Sequence, residues 1–212
     1  MNKEEFVKEL KKLGISPTLD QLDKLEKYYE LLISWNEKIN LTRIISREDV
    51  YLKHFYDSLT IVKALDLANT PTLCDVGTGA GFPGIVLKIM FPNIKITLVD
   101  SLQKRVNYLN EVIKELDLND IVAIHSRGED YKGSFDVVTS RAVANIEKLL
   151  DYTMHLVSKD GAFVAMKGNI DEELTEDIKS KINRKYSISE IIKFKLPIED
   201  SNRSLVIIRN KE

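Results

Sequence analysis

Leu73-Cys74-Asp75-Val76-Gly77-Thr78-Gly79-Ala80-Gly81-Phe82-Pro83-Gly84 lies between a strand-like run and a helix-like run. A second strand-like run, Lys95-Ile96-Thr97-Leu98-Val99-Asp100, follows and ends in an acid. Strand, glycine turn, helix and strand in that order open a parallel βαβ unit. Glycines at 77 and 79 let the backbone turn sharply and approach a ligand with no Cβ in the way, and an acid at the next strand's tip can accept from both ribose hydroxyls. The stretch therefore reads as a nucleotide-cofactor pocket. A dinucleotide fingerprint, G-x-G-x-x-G, would place glycine at 82 to let helix and strand pack closely. Here 82 is phenylalanine and the spacing is G-x-G-x-G.

Outward from this loop, strands are expected at 72–76, 95–100, 121–125, 135–140 and 161–167, with helices near 83–90, 102–117 and 145–158 between them. Leu102, Val106, Leu109, Ile113 and Leu116 form the inner face of the second helix. Strands alternating with helices predict a parallel sheet covered on both faces. A helix near 171–183 then leads to strands near 187–196 and 203–209, joined by Pro197 to Asn202, which predict an antiparallel hairpin at one sheet edge.

Ahead of the loop the pattern is helical. Phe6, Val7, Leu10 and Leu13 recur at helical spacing and stop at Gly14. Thr18 and Gln21 resemble a capping box, opening a long amphipathic helix with Leu22, Leu25, Tyr29, Leu32, Asn36 and Ile39 on one stripe. Ser46 with Asp49 is expected to open a short helix, and Asp57 to Leu67 a fourth. The boundary is placed at Asn69-Thr70-Pro71, dividing a helical region (1–68) from the α/β domain (69–212) on which it is expected to pack. The stripe and Trp35 read as core.

With 212 residues, 43% of them hydrophobic, the chain can bury one substantial core, with or without an added subdomain. No apolar stretch reaches the roughly 18 residues of a membrane span, and Met1-Asn2-Lys3-Glu4-Glu5 lacks the apolar segment of a signal peptide. A soluble, cytoplasmic protein is expected. One cysteine, Cys74, excludes an internal disulfide, and His54, His125 and His155 are too scattered for a metal site, so no metal is expected. A net charge of −2 carries no global nucleic-acid signal; any RNA footprint must be a local patch.

The G-x-G-x-G spacing, preceded by an acid at 75, resembles motif I of the S-adenosylmethionine (SAM) methyltransferases. Over nearly its whole length the chain resembles the RsmG family, also called glucose-inhibited division protein B. The resemblance rests on Trp35-Asn36, Asn40-Leu41-Thr42, His54-Phe55-Tyr56-Asp57-Ser58-Leu59, the Asp75 to Gly84 loop, Asp100-Ser101-Leu102-Gln103-Lys104-Arg105 and Ser140-Arg141-Ala142-Val143-Ala144. It implies a Rossmann-like SAM-dependent fold, a mostly parallel seven-stranded sheet with an antiparallel C-terminal hairpin. It also implies methylation of N7 of a guanine in the 530 loop of 16S rRNA, with 16S rRNA or the small ribosomal subunit as partner. A monomer is expected. Where the family often has alanine before the acid after the third strand, this chain has Gly128-Glu129, and glycine keeps the small size and the backbone amide.

For the cofactor the resemblance implies Gly77, Phe82, Gly128, Glu129 and Arg141. The residue reading adds Asp100 on the ribose, with Asp75, Gly79 and Gly81 in the loop. Arg141 follows the apolar run 135–139 and so stands at a strand's carboxyl end, the edge where open α/β sheets bind ligands. It is a candidate for positioning the cofactor or the RNA. Guanine N7 carries a lone pair and no proton, so no acid or base is assigned. Lys104, Arg105, Arg127, Lys167 and Arg203, with Arg43, Arg47, Lys53 and His54, would form an RNA footprint if the fold gathers them; each alone reads equally as a solvated charge. His54 reads either as a substrate contact or as a packed residue donating a hydrogen bond. Three other readings stay open: a SAM methyltransferase acting on another RNA, a protein or a small molecule; an NAD-linked oxidoreductase; and a fold that binds RNA without catalysis.

Overall fold

The computed structural model describes residues 1–141 and 144–211. Seven strands form one sheet in the order β3-β2-β1-β4-β5-β7-β6. β1 (Thr72–Val76), β2 (Lys95–Asp100), β3 (Ile121–His125), β4 (Phe135–Arg141) and β5 (Val157–Lys167) run parallel to one another. β7 (Asn202–Asn210) enters antiparallel between β5 and the edge strand β6 (Tyr186–Lys195), so the C-terminal hairpin supplies the reversed strand. The strand order changes direction at β1 and β4, and the crevice outside their carboxyl ends is where such sheets take ligands.

The central strands are apolar and buried because helices cover both faces. On one face α5 (Gly84–Met90) and α6 (Gln103–Glu115) lie under the long helix α2 (Leu19–Ile39), and Phe6 and Leu10 of α1 (Lys3–Lys12) share one core with Leu25, Tyr28 and Leu32 of α2 and with Ile85, Leu98 and Tyr108. On the other, α7 (Ile146–Thr153) and α8 (Glu176–Lys185) pack over Cys74, Val99, Phe163 and Val206. Burial pushes the Cys74 thiol up, in keeping with a packed side chain.

Several expected boundaries move. The helix expected over 145–158 ends at Thr153; a 3-10 turn follows, and β5 begins at Val157, where it can pair with Phe135. The helix expected over 171–183 is Glu176–Lys185, because the Thr175 side chain caps it by accepting from Ile178 N. The two short helices expected after Ser46 are one helical run. It consists of α3 (Arg47–Val50), a π turn (Tyr51–Tyr56), α4 (Asp57–Leu59) and a 3-10 turn (Thr60–Lys63). No glycine or proline interrupts this segment, and Ser46 caps its start. The wider π turn sends Tyr51 and Phe55 into the core. On α2 the buried line is Leu25, Tyr28 and Leu32, with Tyr29 only half-buried. Tyr28 takes the inner place because its hydroxyl donates to Ala80 O at 2.5 Å.

Candidate functional site

β1 ends at Val76, and the chain turns through Gly77 (φ +71°) and Gly79 (φ +61°), left-handed conformations that cost a residue without a Cβ little. Gly77 N and Thr78 N both donate to Val99 O, pinning the turn to β2. Asp75 organises the turn from beneath. Fully buried, its Oδ2 accepts from Thr78 Oγ1 at 2.7 Å and from Gly84 N at 2.8 Å, joining the loop's start to the first residue of α5. Burial raises its carboxyl to about 6, against the hydrogen bonds from Thr78 and Gly84, which lower it. Gly84 supplies the close helix–strand contact that a dinucleotide fold assigns to the third fingerprint glycine. A Cβ there would lie 2.2 Å from Leu98 Cδ2.

Asp100, at the tip of β2, faces the loop. Its Oδ1 accepts from Leu102 N and its Oδ2 from Gly79 N, both at 2.9 Å, while Arg105 Nη1 lies 3.4 Å from Oδ2. A carboxylate has about four acceptor positions, so one stays open and a second opens if Arg105 swings away.

Between this edge and the helical region lies a cleft of about 630 Å³. It brings together Gly77, Gly79, Phe82, Asp100 and Arg141 from the expected cofactor set, and Lys53, His54, Arg105, Lys167 and Arg203 from the expected RNA footprint. The remaining expected residues stand outside its lining. Asp75 and Gly81 lie beneath the loop, where a Cβ on Gly81 would meet Tyr28 Oη at 2.6 Å. Gly128 packs behind the tip of β1, with no room for a Cβ beside Val76 Cγ1, and Glu129 is exposed beyond it. Arg43, Lys104 and Arg127 are exposed; Arg47 is paired with Glu26 and lies over the Tyr29 ring.

The cations in the cleft are held, not loose. Arg141 Nη1 donates to Lys53 O at 2.9 Å and to Asp57 Oδ2 at 3.1 Å, and its Nη2 donates to His54 Nδ1 at 3.0 Å. Three of its five N–H donors are thus spent inside the protein, more than the strand-end reading foresaw. Asp57 Oδ1 also accepts from Arg203 Nε at 3.0 Å. Lys167 pairs with Glu173 at 3.0 Å, and Lys53 bridges Asp49 and Glu199. His54 stacks on Phe82, ring centroids 4.3 Å apart and 14° from parallel, with the Arg141 guanidinium 5.3 Å from that ring. Burial, then the Arg141 charge, pushes His54 down to about 3. His54 is therefore the packed, hydrogen-bonded histidine and also a cleft-lining residue.

Asp57 and Thr42 are the residues that reading the sequence passed over. Both stood inside quoted segments, but an aspartate and a threonine carry no spacing signal by themselves. Among the described residues no three His, Cys, Asp or Glu side chains gather as metal ligands, and no helix is long and apolar enough to cross a membrane.

Residues 21–206 match the family model described as rRNA small subunit methyltransferase G. A protein of Bacillus cytotoxicus named Ribosomal RNA small subunit methyltransferase G is 43% identical, covering 100% of this chain and 91% of its own. Its namesake in Bacillus subtilis strain 168 is 44% identical over 99% and 90%. Among solved structures, the mitomycin 7-O-methyltransferase MmcR superposes with a TM-score of 0.63 at 13% identity, covering 86% of this chain and 60% of that one. M. jannaschii TYW2 in complex with AdoMet gives 0.55 at 18% identity over 68% and 73%. At such identities these two likenesses speak for the fold alone.

Proposed function

Because this chain belongs to the rRNA small subunit methyltransferase G family, we propose that it transfers the methyl group of SAM to N7 of a guanine in the 530 loop of 16S rRNA. The observation that carries this reading is one cleft in which the glycine turn and Asp100 face Arg141, Lys167 and Arg203. The residues fit the cofactor. At Gly79 a Cβ would point into open space, so the loop leaves its backbone bare toward the cleft, and Asp100 keeps an acceptor for a ribose hydroxyl. Gly77, Gly79, Phe82 and Asp100 would hold the nucleoside portion.

When bound, SAM supplies an electrophilic methyl on a sulfonium. The protein's part is placement, since a displacement of this kind is governed by near-attack geometry. No base is required, and His54 cannot serve as one: Nδ1 accepts from Arg141 and Nε2 bonds Thr42 Oγ1. Arg203, Lys167 and Lys53 line the rim as ion-paired cations that would meet RNA phosphates by exchanging their carboxylate partners. The partner is 16S rRNA or the small ribosomal subunit, met in the cytoplasm by a monomeric enzyme with a helical region (1–68) and a catalytic domain (69–212).

The test is labelled SAM given to small-subunit particles from cells lacking the enzyme, followed by borohydride and aniline cleavage at 7-methylguanine. Cleavage in the 530 loop is expected. Label on a ribosomal protein, or on another base atom, refutes the reading.

A further inference from the structure

The hydrogen-bonding roles of the Thr42 hydroxyl are dictated by its neighbours. Arg141 Nη2 lies 3.0 Å from His54 Nδ1, and a guanidinium only donates, so Nδ1 is the acceptor. His54 is thereby neutral, with its proton on Nε2. That N–H, 2.9 Å from Thr42 Oγ1, donates to the hydroxyl oxygen, and Ile44 N donates to the same atom at 3.1 Å. A hydroxyl oxygen has two acceptor positions, and both are taken. Its own O–H remains, and among the described residues it meets no acceptor, although Thr42 lines the same cleft as His54 and the glycine turn.

We propose that this O–H donates to O6 of the target guanine and so distinguishes guanine from adenine. The proposal rests on the guanine-N7 reading and deepens it. Guanine presents N7 and O6 as adjacent acceptors on one edge, whereas adenine presents an N6 amino donor in place of O6. A cleft-lining donor whose acceptor positions are already filled pairs with O6 and leaves the N7 lone pair free to attack. Against adenine it faces a second donor, and both are left unsatisfied away from water. The donor direction is set by a chain of contacts: Asp57 holds Arg141, Arg141 sets the histidine tautomer, and the histidine fills the last acceptor position of Thr42. Stacking on Phe82 keeps the ring in place. Burial and the Arg141 charge, which hold His54 down to about 3, preserve this arrangement at neutral pH.

The experiment is single-turnover methylation of small subunits reassembled with 16S rRNA carrying either guanine or 2,6-diaminopurine at the target position. Diaminopurine changes O6 to an amino group and N1–H to a bare acceptor while keeping N7 and the 2-amino group, so the change in preference on Thr42→Val is what isolates the O6 contact. Wild-type enzyme is expected to favour guanine by about tenfold or more, the scale of one lost hydrogen bond. Thr42→Val should narrow that preference by roughly tenfold while leaving SAM affinity in place, with the melting curve lowered by the donors it orphans at His54 Nε2 and Ile44 N, and Thr42→Ser should restore both the preference and the melt. A merely structural role would slow both RNAs alike, and an unchanged preference in Thr42→Val overturns the proposal. Equal wild-type rates on the two RNAs overturn it too, even if Thr42→Val does not fold. Absence of 7-methylguanine with the natural RNA is a different result, which sinks the proposed function.

Discussion

The Asp57 carboxylate and the Arg141 guanidinium meet at 3.1 Å and tie the helical run before β1 to the carboxyl end of β4. The same carboxylate accepts from Arg203 of β7, so one acid organises three elements around the cleft. Asp57 is buried and both arginines are largely so, which makes the cluster costly to break from one side. Asp57→Asn should lower stability by roughly 3–5 kcal/mol, because it leaves two neighbouring cations without their counter-charge. A urea titration measures this, and a shift of under about 1 kcal/mol would mean that water already screens the cluster.

Asp100→Ala removes the acceptor at the tip of β2 and should weaken SAM binding by about 1.5–3 kcal/mol, or roughly one to two decades in Kd. Calorimetric titration of the folded variant decides it; unchanged affinity would take Asp100 out of the site.

Lys104 and Arg105 are neighbours with different surroundings, since Lys104 is exposed and Arg105 lies against Asp100. Lys104→Glu is expected to weaken RNA engagement with a shallower salt dependence and to leave SAM affinity in place. Arg105→Glu should weaken SAM binding as well, because it sets a second acid beside Asp100. Comparing both variants by SAM titration and by RNA binding at several ionic strengths tests the separation, which fails if the two behave alike.

His54 and Asp75 pull stability in opposite directions with pH. The folded state keeps His54 neutral down to about 3, whereas in the unfolded chain it protonates below about 6.5. Between these values the unfolded state binds the extra proton, so the His54 contribution is complete above about 6.5 and lost as pH falls. Asp75 is raised from 3.8 to about 6; there the folded state binds the extra proton, and stability falls as pH rises through that window. The wild-type profile should therefore be nearly flat from about pH 4 to 6, where two slopes of at most about 1.4 kcal/mol per unit oppose each other. In His54→Gln it should decline with rising pH over the same range. Denaturant midpoints at half-unit steps test this, and parallel profiles for the two proteins would contradict it.

Gly84→Ala drives a Cβ to 2.2 Å from Leu98 Cδ2 and 2.9 Å from Asp75 Oδ2, atoms fixed in the core beneath the loop. A loss of about 1–3 kcal/mol is expected, with weaker SAM binding because the strained residue opens α5 directly after the glycine turn. Thermal unfolding with and without SAM measures both effects.

The glycine turn, the acid at 100 and the alternation of apolar runs were legible in the sequence because each depends on local rules. Turns need residues that tolerate positive φ, parallel strands buried on both faces are apolar throughout, and helices repeat every 3.6 residues. These alone determined the βαβ opening, the parallel sheet and the closing hairpin, and they nominated the edge proposed here for the cofactor. Tertiary structure decided what those rules do not reach. It decided that Tyr28, not Tyr29, faces inward, because only a hydroxyl at 28 meets Ala80 O. It decided that Arg105 sits on Asp100 while Lys104 does not, and that Gly84, two positions beyond Phe82, provides the close contact with β2. It also decided that Asp57, Arg141, His54 and Thr42 act as one chain of contacts, although 42 and 141 are far apart in sequence. A hydrogen bond's direction depends on its partners' chemistry at distances of about 3 Å, and no residue carries that information before the fold brings its partners to it.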